Sequence, residues 1–177
     1  LTKLASLSQK TYVQLELGLQ TTNEKTARYI RRGFESRAFE RAVEEIHNAC
    51  PKVHIVTHII FGLPGETRDD MLTTVKNALE WKTDGLKITV LYVLKNTDPE
   101  KEYLNGKVKT LEMEEYMSIL EEALAFVPPG VVIHRVTGDP PKSLLIATEW
   151  TKNKKLVLNR VKQLFLHVDS LSSNVVQ

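Results

Sequence analysis

The stretch "VHIVTHIIFG", Val53 to Gly62, constrains the fold most. It is a nearly continuous run of β-branched and apolar residues that stops at a glycine. A strand apolar on both faces belongs inside a parallel sheet covered by helices, where neither face meets water. Two further runs support that reading. "YVQLELGLQ", Tyr12 to Gln20, alternates and is rich in strand formers, and "LKITVLYVL", Leu86 to Leu94, is another strand-forming run. The three start about 35 to 40 residues apart, the spacing of repeated βα units with right-handed crossovers. A whole (β/α)₈ barrel needs about 250 residues, and the chain has 177. The expected fold is therefore α/β: a partial (β/α) barrel fragment with parallel strands covered by helices, followed by a C-terminal strand-helix extension.

Helices with visible punctuation sit between the strands. Ser36 is the expected cap of a helix with Phe39, Val43 and Ile46 on one face, ending before Pro51. Thr67, with Asp70 in the first turn, is the expected cap of another, with Met71, Val75, Ala78 and Leu79 inward. The polar stretch "KNTDPEKEYLNGKVK" reads as a loop. Beyond it Met113, Met117, Leu120, Leu124 and Val127 keep the 3, 4 spacing of a buried helical stripe, which Pro128-Pro129-Gly130 ends. "VVIHRV" is a fourth strand, Asp139-Pro140-Pro141 a turn, and from Lys152 a last helix places Val157, Val161, Leu164, Phe165 and Val168 inward before a serine-rich tail expected to fray. The expected organisation is βα units over residues 1–109 and the extension over 110–177. The first residue is Leu1 rather than methionine, so the chain is expected to be a piece of a longer protein.

Composition narrows the function classes. A formal charge of +2 supplies no global pull toward nucleic acid or anionic membrane. No window approaches the roughly 18 to 20 apolar residues of a membrane span. Cys50 is the single cysteine, too few for an internal disulfide or a multi-thiolate metal site, and the expected setting is the reducing cytoplasm. His54 and His58 invite a metal reading, but four residues of strand separate them by about 13 Å, beyond the reach of one ion. No metal is expected there. His47 is expected on a helix surface, Cys50 in inert packing, and His134 and Arg135 on the sheet, reaching a surface or partner.

Candidate binding residues gather at strand ends. Pro64 and Gly65 fit the central positions of a type II turn, where proline presets φ and glycine accepts a positive one. That turn is a sufficient structural role for "HIIFGLPGE", yet it follows a parallel strand, where α/β sheets bind ligands. Gly18-Leu19-Gln20 and Lys95-Asn96-Thr97 lie past two neighbouring strands, so three polar strand ends share one rim. Arg31 and Arg32 end the first helix as cations favoured by its dipole, and Arg32 has the further option of binding a carboxylate with its planar fork. No Gly-Lys-Ser or Gly-Lys-Thr follows the glycine turn, which excludes a P-loop. Lys152, Lys154, Lys155, Arg160 and Lys162 make a basic face on the last helix.

Taken in order, "ELGLQTTNEKTARYIRRG", "HIIFGLPGET" and "ITVLYVLKNT" resemble the later half of the radical S-adenosylmethionine domain. The resemblance is to the group containing oxygen-independent coproporphyrinogen oxidase and the Elongator catalytic subunit, and within it to the bacterial YhcC-like subfamily. That subfamily also carries the patterns of "VVIHRVTGDPP" and of Trp150 to Lys154. The resemblance implies a partial barrel that binds S-adenosylmethionine beside a [4Fe-4S] cluster and cleaves it reductively to a 5′-deoxyadenosyl radical. By position it implies that Gln20 matches a glutamine after the fourth barrel strand and Arg32 an arginine near the methionyl carboxylate. Ile60 with Gly62 matches the strand-and-glycine motif beside adenine, and Tyr92 a sixth-strand position whose backbone approaches adenine. His58 stands where the family has glycine or aspartate. The family's C-x-x-x-C-x-x-C is absent, so this chain is not expected to hold the cluster or to act by itself. The implied partners are the N-terminal half of the same barrel and a reductant protein. The substrate is open, RNA included, and self-association is expected through the cut sheet edge. The alternative reading is a non-catalytic βα interaction module presenting its basic last helix to RNA.

Overall fold

The computed structural model describes residues 1–173. In chain order the elements are α1 (Thr2–Ser8), β1 (Val13–Gln20), α2 (Glu24–Tyr29), α3 (Ser36–Ala49), β2 (Val53–Phe61), α4 (Arg68–Glu80) and β3 (Gly85–Val90). There follow β4 (Val93–Leu94), α5 (Asp98–Leu104), α6 (Met113–Ala125), β5 (Val132–Arg135), β6 (Leu145–Ala147), a 3₁₀ turn (Glu149–Lys152) and α7 (Lys154–Ser173). One four-stranded sheet has the order β1-β2-β3-β5, with every neighbouring pair parallel. No closed barrel forms among the described residues: β1 and β5 are edges. β4 and β6 make a separate antiparallel ribbon.

The alternation along β2 explains which face is covered. Ile55, Ile59 and Phe61 pack into one core with Phe39 and Val43 of α3, Met71 and Val75 of α4, and Leu120 of α6. α7 adds Val157, Val161 and Leu164 to the same core, with Phe165 and Val168 partly buried against it. The opposite face is not the second apolar layer the run suggested. It carries His58, hydrogen-bonded to Thr89 at 2.9 Å, and the ion pair of Lys87 with Glu16 at 2.6 Å. The two histidines that interrupt the run mark that polar face. They do not meet each other; His54 instead faces His134 of β5, Nε2 to Nε2 2.9 Å. The sheet also crosses the expected boundary at 109–110, because β5 pairs with β3.

Several local expectations change. Ser36 is the first residue of α3 rather than its cap; the N-cap is Glu35, and the Ser36 hydroxyl accepts from Arg32 at 3.2 Å. The run Leu86 to Leu94 is two strands, not one. The Leu91 N–H still bonds Phe61 at 2.9 Å, but its carbonyl is taken by the Thr148 hydroxyl at 2.7 Å, which turns the chain out of the sheet. Tyr92 therefore lies between β3 and β4 rather than on a strand. The polar stretch after it contains α5, which buries no residue, with Pro99 in its first turn and Asp98 and Glu100 at the positive end of its dipole. β6 had no sequence signal. The first part of the serine-rich tail continues α7 to Ser173, and the expectation of fraying at 174–177 lies outside the described residues.

Candidate functional site

The C-terminal ends of β1, β2 and β3 frame a cleft of about 730 Å³. That is within the roughly 300 to 1,000 Å³ typical of small-molecule sites. Gly18 and Gln20 form its β1 side, Ile60 and Pro64 its floor, Leu91 its β3 side. α5 closes the outer rim through two contacts to the end of α2: Arg31 with Asp98 at 2.8 Å, and the Tyr29 hydroxyl donating to Glu102.

Each wall has a local cause. β1 ends in an irregular register, with Gly18 opposite His58 and Gln20 opposite Ile59, and Gln20 takes a left-handed φ of 59°. Its side-chain amide folds back over Gly18, where a Cβ would lie 2.3 Å from it. With the amide turned over, its nitrogen would donate to the Gly18 and Leu19 carbonyls at 3.1 and 3.2 Å. After β2 the chain makes the expected turn: Glu66 N–H bonds the Leu63 carbonyl at 3.1 Å, and Gly65 has φ 81°. Thr67 then caps α4 in a reciprocal capping box with Asp70.

Arg32 lines the cleft, but its guanidinium is turned into the protein and is 2% exposed. It donates to the carbonyls of Leu19 (2.9 Å), Thr21 and Phe34 (2.9 Å), and meets Glu24 at 3.4 Å. It also lies 4.6 Å from the centre of the Phe34 ring. This geometry staples the end of β1 to the segment between α2 and α3.

Gln20, Arg32 and Ile60 thus meet at the cleft, whereas Gly62, Tyr92 and His58 do not line it. Gly62, with φ 80°, donates its N–H to the Met71 sulfur and faces Leu111, whose Cγ would be 2.9 Å from a Cβ. Tyr92 packs its hydroxyl against Gly138. His58 sits lower on the polar face; burial and the neighbouring Lys87 push its imidazole below the usual range and keep it neutral.

Sequence reasoning missed Thr21 and Glu66. Thr21 is fully buried and donates to the Glu66 carboxyl, tying the end of β1 to the turn after β2. Burial pushes Glu66 up to about 7, despite the Thr21 hydrogen bond, with nearby Asp70 adding to the rise. The second carboxyl oxygen, Oε2, is buried without a partner among the described residues. A glutamate between a glycine turn and a helix cap gives no periodic signal, so only the fold exposes this contact.

The residues fit one part of the implied cofactor set and not the other. Apolar Ile60, Leu63, Pro64 and Leu91 offer a shelf for a flat aromatic ring, and Gln20, Arg31 and Glu102 supply polar groups around it. An iron–sulfur cluster has no thiolates here. Cys50 is buried before β2, at the end of the sheet opposite the cleft, with Sγ 3.7 Å from the Leu1 carbonyl. Among the described residues no group of three His, Cys, Asp or Glu side chains is placed to hold a metal ion.

A parallel sheet, helices on one face, and a ligand-sized cleft at the strand C-termini define an α/β protein of the open-barrel kind. The sequence matches the radical SAM superfamily over residues 1–78 and the radical SAM C-terminal domain over residues 83–165, and the chain belongs to that superfamily. It is 36% identical over 160 residues to YtqA of Bacillus subtilis, covering 90% of this chain and 49% of YtqA. To YhcC of Escherichia coli K12 it is 32% identical over 142 residues, covering 80% and 45%. The chain thus spans about half the length of these relatives. The fold matches that of an N-terminally truncated Elp3 from Methanocaldococcus infernus with a TM-score of 0.73 at 17% identity, over 92% of this chain and 38% of that one. No helix among the described residues is long and apolar enough to cross a membrane. Of the five cations on the last helical segment, Lys152, Lys154 and Arg160 are held in ion pairs with Glu149, Asp139 and Glu114.

Proposed function

We propose that this chain supplies part of the S-adenosylmethionine site of a longer radical SAM enzyme, in the cleft at the ends of β1, β2 and β3. The observation that carries this reading is the meeting of Gln20, Arg32 and Ile60, from three separate segments, around one ligand-sized space. Ile60, with Leu63 and Leu91, takes the adenine against an apolar surface. Gln20 lends its amide to the polar end of the cofactor. Arg32 acts by holding the β1 end and the Phe34 segment in place, and Gly62 by letting the backbone turn away beneath Leu111. Tyr92 and His58 lie outside the cleft and take no part in this reading. When bound beside a reduced iron–sulfur cluster, this cofactor supplies a strong hydrogen-abstracting radical. The cluster's thiolates come, in this reading, from a segment outside this chain.

The test is calorimetric binding of S-adenosylmethionine to the reconstituted longer protein. Gln20→Ala is expected to weaken binding about three- to tenfold, the scale of a hydrogen bond, without lowering the iron content and with a smaller fall in melting temperature than Arg32→Ala. Arg32→Ala weakens binding and lowers the melting temperature together, because its role is to hold the wall. Wild-type affinity in both variants would place the cofactor elsewhere.

A further inference from the structure

A second cavity, of about 210 Å³, lies beyond the end of β5 and shares no lining residue with the cleft. One side is apolar and rigid. Trp150 is fixed by its indole N–H donating to the Leu111 carbonyl at 2.9 Å and by a 5.5 Å ring contact with Tyr116, and Val90 and Val157 complete that wall. The other side is charged: Arg135, Asp139 and Lys154.

The charges do not balance. Lys154 and Asp139 neutralise each other at 2.6 Å. The Arg135 side chain is exposed and makes no hydrogen bond or ion pair among the described residues. Behind the lining lies a second unpaired donor. The Tyr92 hydroxyl is buried without a partner among the described residues. It presses on Gly138, a lining residue, so closely that a Cβ there would fall 1.1 Å from Oη. Burial pushes this phenol up to about 12, so it keeps its proton and remains a donor. A buried donor left unpaired is costly, and a guanidinium beside an apolar wall binds oxyanions strongly.

We propose that this cavity is a subsite for an oxyanion, carboxylate or phosphate, carried on an apolar or aromatic body. Arg135 takes the oxyanion; Trp150 and Val157 take the body; the Tyr92 hydroxyl, buried behind Gly138, backs that wall without meeting the ligand. The glycine at 138 is what lets the tyrosine reach this position. The subsite uses no residue of the cleft, so it stands or falls separately from the cofactor reading.

The probes are benzoate, phenyl phosphate and neutral benzyl alcohol, titrated into this chain while the amides of residues 135–139 and the Trp150 indole are followed by NMR. At least one oxyanion is expected to shift these signals saturably, and benzyl alcohol is not. Tighter benzoate binding identifies a carboxylate ligand, tighter phenyl phosphate binding a phosphate. Arg135→Gln is expected to weaken the better probe about ten- to hundredfold, the scale of a charged hydrogen bond. Arg135 is exposed, so the variant folds, as near-ultraviolet circular dichroism will confirm. Three results would overturn the proposal: no saturable shift with either oxyanion, equal binding of benzyl alcohol, or wild-type affinity in Arg135→Gln.

Discussion

At the scale of single residues, Arg31 and Arg32 adjoin in sequence and differ in everything the fold decides. Arg31 makes an ion pair with Asp98 in which the two side chains are 81% and 70% exposed. Such pairs contribute about 0 to 1 kcal/mol. The Arg32 guanidinium is buried among carbonyl oxygens, and its removal leaves those acceptors and Glu24 without their donor. Arg32→Ala is expected to lower stability by about 2 to 4 kcal/mol and Arg31→Ala by under about 1, measured by urea unfolding. Glu66 carries a pH dependence. Its folded value of about 7 exceeds the ordinary 4.5. The folded state therefore holds the proton more tightly than the unfolded one, and the associated stability is present below about pH 4.5 and lost as pH rises toward 7. With allowance for partial solvent screening, the loss across that window is about 1 to 2 kcal/mol. Glu66→Gln, which imitates the protonated acid, should flatten this dependence and be the more stable protein at pH 8. An unchanged slope would assign the pH response to other groups.

At the scale of elements, the punctuation that the sequence displays is reliable where both partners are local. Thr67 and Asp70 are three residues apart, so the capping box is written into the chain. Thr67→Ala is expected to cost about 1 kcal/mol in urea unfolding, mostly by loosening the start of α4. α5 escaped notice because a helix that buries nothing has no apolar stripe to read. β3 was read too long because the residue that ends it, Thr148, lies 57 positions away from the Leu91 carbonyl it binds. The free edge of β1 makes a different expectation. Its outward backbone groups have no strand partner among the described residues. In dilute protein those amides should exchange hydrogen quickly, and protection should appear as concentration rises and edges pair. Fast exchange at every concentration, with a monomer by ultracentrifugation, would rule out self-association through this edge.

At the scale of the whole molecule, one core joins the parts that match the two radical SAM profiles. Tyr116 of α6 is fully buried and donates its hydroxyl to the Val136 carbonyl at 2.7 Å, while the helices on both sides of residue 83 share the same apolar cluster. Unfolding is therefore expected to be a single cooperative transition rather than two. Anaerobic treatment of this chain with iron and sulfide is expected to leave it without stoichiometric [4Fe-4S] absorption, since one buried thiol cannot replace three. A well-formed cluster would show that the chain recruits ligands some other way.

The sequence by itself determined the parallel strands, the helices that bury a stripe, the glycine turn after Phe61 and the family, because all of these are carried by periodicity or by short ordered motifs. Gln20 was legible as a rim residue and Arg32 as one with the option of reaching the rim, while Ile60 entered only through the family resemblance. Tertiary structure alone decided which way their side chains turn. It spent the Arg32 fork on backbone carbonyls, paired His54 with His134 instead of His58, and joined Thr21 to Glu66 across 45 residues. The physical reason is that a hydrogen bond is satisfied by whichever group the fold brings within about 3 Å, and a strand-end side chain meets partners whose distance along the chain carries no pattern.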